Sequence, residues 1–110
     1  MNLNIHDVGD FAVVALHGDV DLQNSPRVRK GLLQCLSQGR NVLVDMGGVT
    51  YIDSSGVASL VEAFQTARKA GIRFALVGVS AAAMRVLQLT RLDRVFAIHP
   101  SLDEAMAAGG

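Results

Sequence analysis

The chain is poor in cysteine and in charge. Cys35 is the sole cysteine among 110 residues, which excludes an intrachain disulfide framework and points to a reducing compartment. Charged residues make up 18%, with ten basic against ten acidic and a formal net charge of zero. The basic face that broad nucleic-acid binding needs to neutralise phosphates is therefore lacking. Apolar runs such as Phe11 to Leu16 fall far short of the roughly 20 residues that span a bilayer. The N-terminus, Met1 to Asp7, has neither the positive start nor the apolar stretch of a signal peptide. A cytoplasmic protein is expected, with no direct nucleic-acid contact and no direct membrane insertion, although a partner could hold it at a membrane complex.

Chemistry-bearing motifs are scarce as well. His6, His17, His99 and Cys35 are scattered without metal-ligand spacing, and no Walker-type or G-x-G-x-x-G phosphate loop is present. Ser55 lacks the glycine two residues earlier that a nucleophile elbow requires. His17 could in principle partner a serine, but nothing in the sequence positions an oxyanion hole. Neither a cofactor, a metal site nor an enzymatic activity is expected.

Half of the residues are hydrophobic, enough for one domain of this size to bury about two-thirds of its unfolded surface in a single core. The reading is a single domain over 1–110, its core spanning about 2–106 and ending in a short flexible tail, 107–110. Leu3–Ile5 and Phe11–Leu16, separated by Val8-Gly9-Asp10, read as an antiparallel hairpin with an edge strand and a central strand. Gly18-Asp19-Val20-Asp21 then reads as a loop. Ser25 is the candidate N-cap of a first helix with Pro26 at its first position. Val28, Leu32, Cys35 and Leu36 form its apolar stripe, and Gly39 closes it. Asn41–Asp45 is a third strand, and Gly47-Gly48 reads as a turn before Val49–Ile52.

Beyond Asp53-Ser54-Ser55-Gly56, the residues Val57, Leu60, Val61 and Phe64 mark a second helix ending near Gly71. Arg73–Val77 is a fourth strand, Ser80 caps a third helix through about Leu89, Val95–Ile98 is a short fifth strand, and a last helical turn or two follows from Leu102 to Met106. Alternating strands and helices predict an α/β fold with a mixed, mainly parallel central sheet of four to five strands and about four α-helices. Sites in such folds gather where strands end and helices begin. Two such places carry polar residues, Gly18–Asp21 and Asp53–Gly56.

At the second of these, Asp53, Ser54 or Ser55 can serve as the helix cap. Alternatively, a serine there could carry a phosphate that the positive helix end would accept. Asp19 and Asp21 are turn residues by default. If their loop abuts Ser55, however, Asp21 places negative charge beside an incoming phosphate.

The element order, the Gly18-Asp19-Val20-Asp21 segment and Asp53-Ser54-Ser55-Gly56-Val57 together resemble the STAS family, over about Asn2 to Met106. The resemblance implies an anti-sigma factor antagonist that binds an anti-sigma factor serine kinase when unmodified and releases it when phosphorylated. It places the phosphorylation site on Ser55 and partner or switch contacts on Asp19, Asp21, Asp53, Ser54 and Gly56. A phosphatase acting on phospho-Ser55 would reset the cycle, and a monomer or weak dimer is expected. The alternative within the family is a STAS subunit of a lipid-transport ABC complex that binds its ATPase. One departure stands out: Arg91 occupies a position where many family members carry the glycine that ends the third helix.

Overall fold

The computed structural model describes residues 1–108. Strands β1 (Asn2–Val8) and β2 (Phe11–Val20) form the expected hairpin through a two-residue turn. Gly9 holds φ at 59°, at the turn position that a type II′ connection reserves for glycine. Helix α1 (Ser25–Ser37), β3 (Asn41–Ile52), α2 (Ser54–Ala70), β4 (Phe74–Val77), α3 (Ala81–Leu89), a 3-10 turn (Leu92–Arg94), β5 (Ala97–His99) and α4 (Leu102–Ala107) follow. The sheet order is β1-β2-β3-β4-β5, with β2 to β5 parallel and β1 antiparallel at one edge.

Three expectations are corrected here. Gly18-Asp19-Val20 is not a loop: β2 continues to Val20, because register shifts on β3 between Ala15 and His17, and again between Gly18 and Asp19, absorb the polar segment without ending the ladder. Gly47-Gly48 is not a turn either; β3 runs through it unbroken. Glycine is required there by packing, since a Cβ on Gly48 would overlap the His17 ring. Ser25 is not the cap of α1. Asn24 holds that position without a side-chain bond, while Ser25 is buried as the first helical residue. The Asp21 carboxylate instead receives the N–H groups of Gln23 and Asn24, so an aspartate turn delivers the chain into the helix.

Smaller shifts concern ends. β1 is longer than Leu3–Ile5, and β5 starts at Ala97 because Leu92–Arg94 forms a 3-10 turn ahead of it. Of the tail expected to be flexible, Ala107 closes α4 and Ala108 caps it; residues 109–110 lie outside the described residues.

Helices α1, α2 and α3 cover one face of the sheet, burying Leu16, Leu32, Leu60, Leu76 and Leu87 completely. The opposite face is thinner. There α4 contributes Ala105 against Phe11, Val13, Leu43, Ala75 and Val77, so Phe11 to Leu16 is buried on both sides as a central strand should be. Cys35 is a core residue, and burial pushes its thiol above the ordinary range despite the nearby Arg40 cation. Among the described residues, no helix is long and apolar enough to cross a membrane.

Candidate functional site

The carboxyl ends of β2 and β3 meet the first turns of α1 and α2, and both polar segments singled out in the sequence arrive there. Asp53 is the hinge of the arrangement. It is extended at φ −105° and ψ −173°, the backbone of an N-cap, and its Oδ1 accepts from the N–H groups of Ser55 (2.9 Å) and Gly56 (3.1 Å). Its Oδ2 accepts from the N–H of Leu22 at 3.1 Å, while its own N–H donates to the Val20 carbonyl at 3.2 Å. One side chain thus caps α2 and ties it to the segment that leaves β2.

Gly56 completes the junction. A Cβ at this position would lie 2.6 Å from the Val20 carbonyl oxygen and 2.8 Å from Ile52 Cγ1, closer than real Cβ contacts allow. Only glycine lets the first turn of α2 sit directly on the end of β2. Asp53 and Gly56 therefore build the platform, and Ser54 and Ser55 are what it displays.

Ser54 is exposed and Ser55 half-buried. Ser55 is held through its backbone, its N–H by Asp53 and its carbonyl by the Ser59 hydroxyl. Among the described residues, no group pairs with its side-chain hydroxyl. The Ser55 and Gly56 N–H groups, which the sequence reading offered to a phosphate, are taken by Asp53 in the unmodified chain.

The other two aspartates are engaged locally. The Asp19 carboxylate accepts the Thr50 hydroxyl across the β2–β3 ladder at 2.6 Å, and the Asp19 carbonyl accepts from the Asn24 amide. The Asp21 carboxylate faces its own turn, as described above. The Asp53–Leu22 bond ties the residue after Asp21 to the α2 cap.

Sequence reasoning missed the apolar surface around this platform. A groove of about 590 Å³ runs between α2 and α3, lined among others by Ser54, Val57, Val61, Val86 and Thr90. Leu89, beside Thr90, is 79% exposed, and Leu22, on the other side of Asp53, is 72% exposed. The available signal was the width of the α2 stripe: Leu60 is fully buried, whereas Val61, in the same pattern, is only partly covered and faces the groove. Glu62 closes one rim in a pair with Arg29 at 2.8 Å. The bond from the Arg29 guanidinium holds the Glu62 carboxyl below its ordinary range.

Residues 2–105 match the family model of the STAS domain. The anti-sigma-B factor antagonist of Bacillus subtilis is 24% identical over 98 residues, covering 89% of this chain and 90% of that protein. The crystal structure of an anti-sigma factor antagonist from Mycobacterium paratuberculosis superposes with a TM-score of 0.89 at 24% identity, over 97% of this chain and 92% of the other. The Bacillus cell fate determinant SpoIIAA in its phosphorylated form gives a TM-score of 0.76 at 19% identity, over 97% and 98%. With the family model matched over residues 2–105, nearly the whole described chain, the protein belongs to the STAS domain family.

Proposed function

We propose that this STAS domain is an anti-sigma factor antagonist working as a partner switch, with Ser55 as its phosphorylation site. In this reading the unmodified protein binds an anti-sigma factor serine kinase across the platform and the adjoining groove. Phosphorylation of Ser55 releases it, and a phosphatase restores the binding form. Asp53 and Gly56 shape the surface, Ser54 and Leu22 extend it, and Asp19 and Asp21 give its rim negative charge.

The observation that carries the proposal is the state of the Ser55 hydroxyl. It is not fully buried and, among the described residues, is unpaired, at a helix start where two N–H groups, those of Ser55 and Gly56, are taken by a carboxylate. A phosphate there adds about two negative charges, next to two N–H groups that Asp53 already holds. In a free domain water solvates that charge at little cost. Against a partner it must be desolvated beside acidic side chains, and about 3 kcal/mol of differential binding lowers affinity more than a hundredfold. The switch needs no change of fold. The names of the Bacillus and Mycobacterium proteins support the same role.

The experiment is capture from lysate of the native host with wild-type and Ser55→Asp baits, followed by mass spectrometry and phosphorylation of the wild type by the captured kinase. A kinase-type anti-sigma factor held by wild type, lost by Ser55→Asp and able to phosphorylate Ser55 is the expected result. A transporter ATPase held equally by both baits would overturn it in favour of a lipid-transport subunit and reduce Ser55 to a helix-start residue.

A further inference from the structure

The edge of the sheet at β1 is open. Among the described residues β2 is the sole strand neighbour of β1, and five of the seven β1 residues are exposed. The hydrogen-bonding directions of this edge follow from the turn. A two-residue hairpin makes the flanking pair, Val8 and Phe11, a hydrogen-bonded one. The alternation then points the N–H and C=O groups of Asn2, Asn4, His6 and Val8 at β2. Those of Leu3, Ile5 and Asp7 point outward, where no strand receives them.

Free edges of this length are normally guarded by lysine, proline, a bulge or an inward-pointing charge. β1 has no lysine or proline, and its register with β2 is unbroken from Asn2 to Val8. Its one acidic residue, Asp7, is neutralised within the chain by Arg40. Leu3 and Ile5 lie over Gly31 of α1, about 3.5 and 3.6 Å from where a Cβ would stand, and Ile5 remains 42% exposed on the outer side.

We propose that this edge pairs with the same edge of a second copy of the chain, forming a two-fold dimer with a continuous ten-stranded sheet. The register is centred on Asn4. Outward-pointing residues must face outward-pointing residues, and the Asn4-centred register sets Leu3 opposite Ile5 twice. It joins the half-exposed apolar side chains of the two copies on the α1 side. Asn4 faces Asn4 and Asn2 faces His6 on the other side, where α4 does not reach, and no like charges are opposed. Centring on Ile5 instead would set each Leu3 against an Asp7 carboxylate. Nothing in this pairing involves Ser55, so the dimer and the partner switch are separable.

Cross-linking of single-cysteine additions in the full-length chain reads both the pairing and its register. In an antiparallel ladder a directly opposed, non-hydrogen-bonded pair has its Cα atoms about 4.5 Å apart, within disulfide range. Asn4→Cys should therefore form a covalent dimer under mild oxidation. Ile5→Cys should not, because each copy's residue is displaced by two positions and lies beyond the roughly 7 Å limit. Wild type, whose Cys35 is buried, is the control for background.

Sedimentation should show a concentration-dependent dimer in wild type. In Ile5→Lys it should be weakened about tenfold or more, since the change acts twice across the two-fold axis. Circular dichroism verifies that each variant is folded. A wild type that stays monomeric at all concentrations, with no cross-link from Asn4→Cys, would overturn the dimer. Cross-linking through Ile5→Cys in preference to Asn4→Cys would overturn the register.

Discussion

Asp53 and Leu22 are joined by a hydrogen bond from the Leu22 N–H to Asp53 Oδ2, while the other oxygen of the same carboxylate caps α2. The bond spans 31 residues of sequence and locks the displayed serines to the exposed Leu22. The aspartate at the head of the Asp53–Gly56 motif is thus a structural clamp whose placement decides where the two hydroxyls stand.

Replacing Asp53 should therefore cost more than losing an ordinary cap. Asp53→Ala leaves three N–H groups without their acceptor, two at the start of α2 and one in the segment after β2. We expect a loss of about 2–3 kcal/mol, against about 1 for a typical cap. Asp53→Asn, which keeps an acceptor oxygen, should recover part of it. Ser54→Ala and Ser55→Ala should change stability by less than about 0.5 kcal/mol, as expected of surface positions. Urea unfolding of the four variants measures the order. A Ser55→Ala variant as unstable as Asp53→Ala would show that the hydroxyl is structural.

Gly56→Ala should be destabilising although alanine is the better helix former. Helix propensity favours the change by up to about 1 kcal/mol. The added Cβ, however, meets a backbone carbonyl of β2, 2.6 Å away, that cannot move without disturbing the ladder. We expect a net loss of about 1–3 kcal/mol and displacement of α2 from β2. Chemical-shift changes in a heteronuclear NMR spectrum should concentrate at Val20 to Asn24 and Asp53 to Ser59. A variant that is stabilised, with shifts confined to Gly56 itself, would show that the first turn has room to move.

How far the site was legible depended on whether a local pattern or a long-range contact decided it. The stripe of α1 and the caps at Ser80 and Gly71 are local, and they stand where the residue types put them. Gly47-Gly48 misled because glycine pairs usually mean turns. Here the requirement was room for His17 from the neighbouring strand, a contact that no local rule contains. Ser25 misled for the same reason: its carbonyl receives the Ser59 hydroxyl across the α1–α2 contact, and burial there removes it from the capping role. The groove was hidden because period 3.6 identifies an apolar face without saying how much of that face a neighbouring helix covers.

Phosphorylation of Ser55 should yield a phosphate that is harder than usual to ionise fully. Asp53 places a carboxylate one residue away from the α2 turn bearing Ser55, and that carboxylate already occupies two of the N–H groups that would otherwise favour a dianion. Like charge disfavours the second ionisation. Titration by phosphorus NMR should give a second pKa above the ordinary value of about 6, shifting back toward it in high salt as the repulsion is screened. A value well below 6 would mean that α2 rearranges to donate N–H groups to the phosphate, and that modification changes the local fold as well as the surface charge.

Arg91 is the remaining departure, and its backbone explains what it costs. Among the described residues it is the single non-glycine with positive φ, at φ 61° and ψ 17°, between the end of α3 and the 3-10 turn. An L-residue with a long side chain loses roughly 1–2 kcal/mol in that left-handed region. Glycine does not, but it gives back part of the gain through the greater freedom of its unfolded chain. Arg91→Gly should therefore stabilise the domain by about 0.5–1 kcal/mol, and Arg91→Asn by less, since asparagine tolerates the region better than arginine. Arg91→Ala should bring no gain, because the Cβ that causes the strain remains. Thermal unfolding of the three variants separates backbone strain from loss of charge: equal stabilisation by Gly and Ala would assign the effect to the guanidinium.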